Sequence, residues 1–261
     1  MGWIKRNRSR YVIGSEGRAG TGLLAHALWS TGVLGRPEEY FNQPDLETYA
    51  AQWHVDVPRT ESDSAGYIGA YNKASSTSNG VSGLKVMTGS LSTIGQLTGC
   101  EAAADPTEIL LSLGISIIFL ILRKDKVATA VSKWRAQQTG EFKRFQGRGA
   151  VSSAEIGLPS DETMQVLIDE SHRADSYWSS LDSERISVHE FVYEDFSQDI
   201  EGTVAHIADQ LGIRRAQIPS GARLPVRIRD ERLEEFIADY KQRHSNDPPS
   251  PSSFPPATDP L

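Results

Sequence analysis

The chain has 261 residues, of which 38% are hydrophobic, and this apolar content is enough to bury one sizeable core in a single domain. The formal net charge of −7 argues against a nucleic-acid partner, because such proteins carry a basic balance or stripe, but a local arginine cluster could still bind a small anion. The single cysteine, Cys100, excludes an internal disulfide framework and is typical of a reducing compartment.

Residues 11–24 open with a short apolar run, turn through four glycines and enter a helical pattern. Strand, glycine-rich turn and helix form a phosphate-binding arrangement, because backbone N–H groups and the helix N-terminus both attract an anion. A nucleoside-triphosphate P-loop would end in Gly-Lys-Ser/Thr, whereas this loop offers Arg18 and Thr21 but no lysine. The loop therefore suits an anion better than it suits ATP with magnesium. A glycine-rich turn without any ligand is the open alternative.

The adjacent carboxylates Glu38 and Glu39 lie in a turn after this first helix, and we expect Glu38 to face solvent. Residues 43–82 lose clear periodicity and mix small polar residues with scattered aromatic ones, which predicts polar loops of the kind that hold substrates. Residues 81–87 have the pattern of a second short strand. We expect Lys85, inside that strand, to be an edge lysine or one that extends its ammonium to solvent.

The most apolar run, residues 115–122, is rich in β-branched and large apolar side chains, which predicts a central parallel strand covered on both faces. This run is far too short to cross a bilayer, and no signal-peptide pattern opens the chain, so we expect a cytoplasmic protein without a membrane span. Arg123 follows the strand directly. A helical pattern then continues from residue 127 to a stop at Gly140.

The C-terminal part alternates again between helix and strand, with helices predicted at residues 161–181, 199–211 and 227–243 and a strand at residues 186–191. Pro, Ser and Asp dominate from residue 245 onward, which predicts a disordered tail over residues 245–261 and a single domain over residues 1–244. Strands that alternate with helices indicate an α/β layered fold with a mainly parallel sheet.

Ligands of such sheets bind beyond the carboxyl ends of the strands. The glycine-rich loop and Arg123 both follow strands, so both are expected to meet one ligand. Two anion sites on neighbouring strand ends favour a nucleotide with two phosphate-like ends over a triphosphate.

Three blocks of sequence together resemble the bacterial Stf0-type sulfotransferases, whose type member sulfates trehalose. The blocks are Arg18-Ala19-Gly20-Thr21, then Gly35-x-Pro37-x-Glu39-Tyr40-Phe41, then the stretch from Arg123 to Thr139 with Ala130-Val131-Ser132-x-Trp134-Arg135 at its centre. Gly83-x-Lys85-x-Met87 and residues 227–240 extend the resemblance over most of the chain before the tail.

The resemblance implies a P-loop-like three-layer fold in which helices flank the central sheet. It also implies transfer of a sulfuryl group from 3′-phosphoadenosine-5′-phosphosulfate (PAPS) to a hydroxyl of a carbohydrate or another small metabolite. Such a transfer requires no metal, and a homodimer is possible. Positioning and fixed hydrogen-bond donors do most of the work in such a transfer, because the charge of the transition state collects on the leaving phosphate.

The resemblance also assigns residues, position by position. Glu39 matches the general base, and Arg18 matches a group that stabilises the leaving phosphate. Arg123 and Ser132 match the pair that binds the 3′-phosphate. The remaining donor contacts fall on the glycine-rich loop and, more loosely, on a C-terminal stretch: Gly17, Arg18, Ala19, Gly20, Thr21 and Gly22 for the 5′-phosphosulfate, and Arg229 and Arg232 for a segment that closes on the donor.

Two departures from the family pattern keep alternatives open. Glu16 is acidic inside an anion-binding loop and would repel phosphosulfate unless it points away or pairs with Arg18. Gly22 stands where a hydroxyl residue is common. A non-catalytic module that binds PAPS or its product PAP is therefore one alternative. A P-loop kinase-like phosphotransferase is the other, and the missing lysine counts against it.

Overall fold

Four parallel strands form the central sheet, in the order β2–β1–β3–β4. The computed structural model describes residues 9–100, 105–145, 156–214, 216–228 and 230–245. The strands are β1 (Arg10–Ser15), β2 (Ser82–Met87), β3 (Ile117–Leu122) and β4 (Ser187–Val192). The prediction of a central parallel strand at residues 115–122 is confirmed, because β3 lies between β1 and β4.

Helices cover both faces of this sheet. They are α1 (Thr21–Ser30), α2 (Leu46–Trp53), α3 (Ala65–Ala74), α4 (Ser90–Thr98), α5 (Pro106–Ser112), α6 (Lys126–Thr139), α7 (Asp161–Trp178), α8 (Tyr193–Phe196), α9 (Ile200–Gln210) and α10 (Glu231–Arg243).

Alternation along the strands explains the layers. In β1, Tyr11 and Ile13 pack with α1 and α9 on one face, whereas Val12 packs with α4, α5 and Trp178 of α7 on the other. Both faces are apolar, so strands in the middle of the sheet are hydrophobic throughout. The fold is therefore the P-loop-like three-layer α/β arrangement that the resemblance implied. A third cluster joins α6, α7 and α10.

The glycine in β1 has a packing reason. A Cβ on Gly14 would lie 2.8 Å from Cδ1 of Ile118 and 3.1 Å from the ring of Trp178. Only glycine lets α7 approach β1 this closely.

Local capping sets where α6 and α10 begin. The Asp125 side chain accepts from the Ala128 N–H at 3.0 Å, and Asp230 accepts from Leu233 at 3.2 Å. The C-terminal helix therefore begins at Glu231 and not near residue 227, as the sequence predicted. Gly140 ends α6 with a φ of 67°, as expected.

The prediction of polar loops over residues 43–82 is wrong. This segment contains α2 and α3, and its aromatic rings pack together in place of lining an open loop. The cluster comprises Tyr40, Phe41, Tyr49, Trp53, Tyr67 and Tyr71. It supports the turn that carries Glu39.

No helix in the described ranges is long and apolar enough to cross a membrane. The predicted tail lies outside the described residues, apart from residue 245.

Candidate active site

A cavity of about 900 Å³ opens at the carboxyl ends of β1, β2 and β3. Its walls come from the glycine-rich loop after β1, the turn that carries Glu39, the start of α2, one face of α6, and residues within 225–228 and 230–237. The predicted convergence of the two strand ends on one ligand site therefore has a physical basis in this fold.

The glycine-rich loop curls through three residues in the left-handed region, with φ of 94° at Gly17, 56° at Arg18 and 85° at Gly20. Gly20 is also crowded, because a Cβ there would overlap the ring of Tyr193. Arg18 is not a glycine, so its backbone is strained, and such strain is characteristic of functional sites. The loop ends at Thr21, the first residue of α1.

Arg18 connects this loop to the other residues predicted to bind PAPS. Its side-chain Nε donates to Ser132 Oγ at 3.1 Å, and its backbone carbonyl accepts from Arg123 Nη1 at 3.0 Å. Its Nη1 donates to the Phe142 carbonyl at 2.6 Å. Burial lowers the pKa of the Arg18 guanidinium, and the neighbouring charges of Arg123 and Arg135 lower it further. An anion placed among these cations would relieve their repulsion.

Arg123 is 9% exposed, and burial lowers the pKa of its guanidinium. Its Nε has no hydrogen-bond partner among the described residues. The Tyr193 ring lies 4.9 Å from its Cζ and covers one face of the guanidinium. A buried donor without an acceptor is costly, so an anionic ligand is the natural group to complete its hydrogen bonding.

Glu39 and Lys85 form an ion pair on the cavity wall, with Lys85 Nζ 2.6 Å from Glu39 Oε1. The carboxylate side chain is 28% exposed, whereas the lysine side chain is 2% exposed. Although β2 is an edge strand, the expectation that Lys85 extends to solvent is wrong. In the structure Lys85 pairs in register with Ile13, two residues before the end of β1.

Backbone contacts hold the Glu39 turn in place. The Lys85 N–H donates to the Glu38 carbonyl at 3.0 Å, so the turn runs beside β2. The Tyr67 hydroxyl donates to the Tyr40 carbonyl at 2.5 Å. Glu38 does not face solvent as expected: its side chain is 17% exposed, lines the cavity and binds Lys143 at 3.2 Å.

Glu16 neither points into solvent nor pairs with Arg18. Its carboxylate binds Lys126 Nζ at 2.6 Å and the Ser171 hydroxyl, and its side chain is only 4% exposed. Lys126 also binds Asp175 at 2.7 Å. Burial raises the pKa of the Glu16 carboxyl, against the lowering by Lys126 and Ser171. The pairing with Lys126, which Glu16 shares with Asp175, therefore weakens the expected repulsion of an anion.

Some of the predicted site residues line the cavity, and others do not. Gly17, Gly20, Thr21 and Gly22 line the cavity together with Arg18, Arg123 and Ser132. Ala19 is fully buried and does not line it. Arg232 does not line it either, because its Nη2 donates to the carbonyls of Ile156 and Gly157, at 2.9 Å for the latter. Arg229 lies outside the described residues.

Several cations that line the cavity were not predicted as site residues, and Arg227 and Arg135 are two of them. Arg227 lines the cavity from the segment before α10. Arg135 is 5% exposed and binds Glu141 Oε2 at 2.6 Å. Hydrogen bonds from Arg144 and Arg135 lower the pKa of the Glu141 carboxyl to about 2, with Arg144 having the larger effect. Arg135 shares the cavity-facing side of α6 with Ser132, and that spacing was visible in the sequence.

The cavity thus combines a buried cationic region around Arg18 and Arg123 with a carboxylate–ammonium pair, Glu39–Lys85. Such a site can hold a multiply charged anion and accept a proton from a neighbouring hydroxyl. Across the described ranges, no group of three or more His, Cys, Asp or Glu side chains has the arrangement of a metal site.

Comparison with known proteins identifies one family. A family model described as Stf0 sulphotransferase matches residues 10–243. No curated protein gives a significant match. Similar solved structures include a sulfotransferase from Alicyclobacillus acidocaldarius, at 14% identity over 90% of this chain and 92% of that chain, with a TM-score of 0.45.

Two further solved structures are sulfotransferase domains. One comes from the curacin biosynthetic pathway, at 13% identity over 94% of both chains, with a TM-score of 0.43. The other comes from the Synechococcus PCC 7002 olefin synthase, at 13% identity over 79% of this chain and 74% of that chain, with a TM-score of 0.40. Similarity at this level does not identify a substrate.

Proposed function

Because this chain belongs to the Stf0 sulfotransferase family, we propose that it transfers a sulfuryl group from PAPS to a hydroxyl of a carbohydrate or another small metabolite. The observation that carries the proposal is the cavity itself. Arg18 is hydrogen-bonded to both Arg123 and Ser132 on its wall, and Glu39 lines the same cavity.

In this proposal, Arg18 and the backbone N–H groups of the glycine-rich loop bind the 5′-phosphosulfate and stabilise the leaving phosphate. Arg123 and Ser132 bind the 3′-phosphate, and the unpartnered Nε of Arg123 is a donor available for it. Guanidinium groups suit this role because their planar donors match phosphate geometry. PAPS supplies the sulfuryl group, and Glu39 accepts the proton of the acceptor hydroxyl.

The pairing of Glu16 favours an enzyme over a non-catalytic binding module. An unpaired Glu16 would repel the donor, but Lys126 offsets part of its charge. The kinase-like alternative lacks the lysine that a P-loop places before its hydroxyl residue, because Gly20 precedes Thr21.

A donor-binding experiment tests the first half of the proposal. We expect PAP to raise the melting temperature clearly more than adenosine 5′-phosphate, which has no 3′-phosphate. Removal of a charge-assisted hydrogen bond to a phosphate costs about 1.5–3 kcal/mol. Arg123→Ala should abolish the difference between the two nucleotides.

The control for that experiment is Arg185→Ala. Arg185 is half exposed, pairs with Glu108 and lies outside the cavity lining, so the preference for PAP should persist. Equal thermal shifts from both nucleotides in the unmodified protein would remove the 3′-phosphate site from the proposal.

A further inference from the structure

We propose that Lys85 is a positioning residue for Glu39. In this arrangement its buried ammonium holds Oε1 of the carboxylate at the cavity wall, so that Oε2 receives the acceptor proton. The proposal rests on the proposed role of Glu39 as the base, and separate variants of the two residues distinguish the failure of one role from the failure of the other.

The two side chains of the Lys85–Glu39 pair are buried to very different extents. Lys85 is almost fully buried inside the wall, whereas Glu39 is partly exposed at the cavity surface. A buried ammonium is costly unless it is paired, and Glu39 is the carboxylate that pairs with Lys85 among the described residues. The lysine therefore has a strong reason to stay where it is, and it holds the carboxylate at the cavity surface.

The backbone gives the pair a rigid base. Lys85 belongs to β2, whose residues pair in parallel register with β1, the strand that leads into the glycine-rich loop. Its N–H also binds the Glu38 carbonyl, directly before Glu39. One sheet therefore places both the loop and the carboxylate, which favours a reproducible distance between the donor site and the base.

The two carboxylate oxygens of Glu39 take different roles in the proposal. Oε1 lies 2.6 Å from Lys85 Nζ, and the acceptor proton is assigned to Oε2. In the transfer, the acceptor O–H bond breaks and its proton goes to Glu39. The acceptor oxygen bonds to sulfur as the bond from sulfur to the donor's phosphate oxygen breaks, and that electron pair stays on the phosphate. Lys85 keeps its proton throughout, so it acts through Glu39 and not on the sulfuryl group.

The first test needs no acceptor. Carbodiimide with glycine ethyl ester labels accessible carboxyl groups, and peptide mass spectrometry reads the labelling of Glu39 at one fixed pH. In Lys85→Met the carboxylate is released from the ammonium that contacts Oε1, so its labelling should rise several-fold. Arg185→Met, which breaks a remote surface ion pair, should leave the labelling of Glu39 unchanged. Equal labelling of Glu39 in Lys85→Met and the unmodified protein would overturn the proposal.

The second test is a double-mutant cycle on transfer from radiolabelled PAPS to a fixed metabolite extract. Lys85→Met should lower turnover about 10- to 100-fold with little change in PAP affinity, and Lys85→Arg should recover part of the loss. The double variant Lys85→Met/Glu39→Gln should be no slower than Glu39→Gln alone. Multiplying losses would show that Lys85 acts independently of Glu39 and would contradict the proposal.

A substitute variant and a comparison of the single variants keep the roles of Lys85 and Glu39 distinct. If Lys85→Met does not melt cooperatively, Lys85→Gln provides the neutral side chain of similar length for both tests. If Glu39→Gln retains full turnover, the proposed base is wrong, whereas full turnover in Lys85→Met together with loss in Glu39→Gln overturns only the role of Lys85.

Discussion

Glu39→Gln is expected to lower turnover by about two orders of magnitude or more and to leave PAP affinity nearly unchanged. Glutamine preserves the size of the side chain and can still contact Lys85, but it cannot accept a proton from the acceptor hydroxyl. Turnover is measured as transfer from radiolabelled PAPS, and PAP affinity is measured by calorimetry on the same preparations.

The matched control for this change is Glu47→Gln and not Glu38→Gln. Glu38 borders the cavity and binds Lys143, so its substitution would disturb the site. Glu47 is exposed on α2 and does not line the cavity, so Glu47→Gln should leave turnover nearly unchanged. Near-normal turnover in Glu39→Gln, or a greater loss in Glu47→Gln, would exclude the base assignment.

Gly20→Ala is expected to destabilise the protein by at least about 2 kcal/mol and to weaken PAP binding. Two costs add, because alanine is disfavoured at a φ of 85° and its Cβ would overlap the Tyr193 ring. Displacing Tyr193 would also uncover Arg123, whose guanidinium it contacts. Denaturant unfolding measures the first effect, and PAP titration measures the second.

Gly22→Ala is the natural control for stability. A Cβ on Gly22 meets nothing within 4 Å, and the residue lies in α1, where alanine is favoured by up to about 1 kcal/mol. We therefore expect this variant to be as stable as the unmodified protein or more so. Similar losses from both substitutions would show that the loop tolerates no change at all and that the contact with Tyr193 is not the cause.

The sequence predicted most of what depends on local pattern. The continuous apolar character of β3 and the glycine-rich turn after β1 are features of short segments, and they place the anion-binding loop and Arg123 at neighbouring strand ends. The family resemblance then assigned Arg18 to the 5′-phosphosulfate and Arg123 with Ser132 to the 3′-phosphate. In the structure Arg18 is hydrogen-bonded to both of the other residues.

The wrong prediction of secondary structure concerns a segment in which tertiary packing, and not a clear hydrophobic period, decides the structure. The prediction of loops over residues 43–82 failed because glycines and polar residues dilute the periodicity there. The helical signal in this segment was a spacing of four residues, which separates Tyr49 from Trp53 in α2 and Tyr67 from Tyr71 in α3. The aromatic rings of both pairs belong to one packed cluster.

The partners of charged residues were also beyond a reading of local sequence. Glu16 pairs with Lys126, which is 110 residues away, and Glu39 pairs with Lys85 across the turn and β2. Lysine usually keeps its ammonium in water, so a buried Lys85 is the less expected outcome. Only the fold shows that a carboxylate lies beside each of these cations.

The most direct test of the central claim is transfer itself. The unmodified protein and Glu39→Gln are each incubated with radiolabelled PAPS and a metabolite extract, and new sulfated species are separated and counted. The account predicts that the unmodified protein forms at least one sulfated metabolite together with PAP, and that Glu39→Gln forms about a hundredth as much or less. PAP that binds tightly without any sulfated product would contradict the account and identify the chain as a nucleotide-binding module.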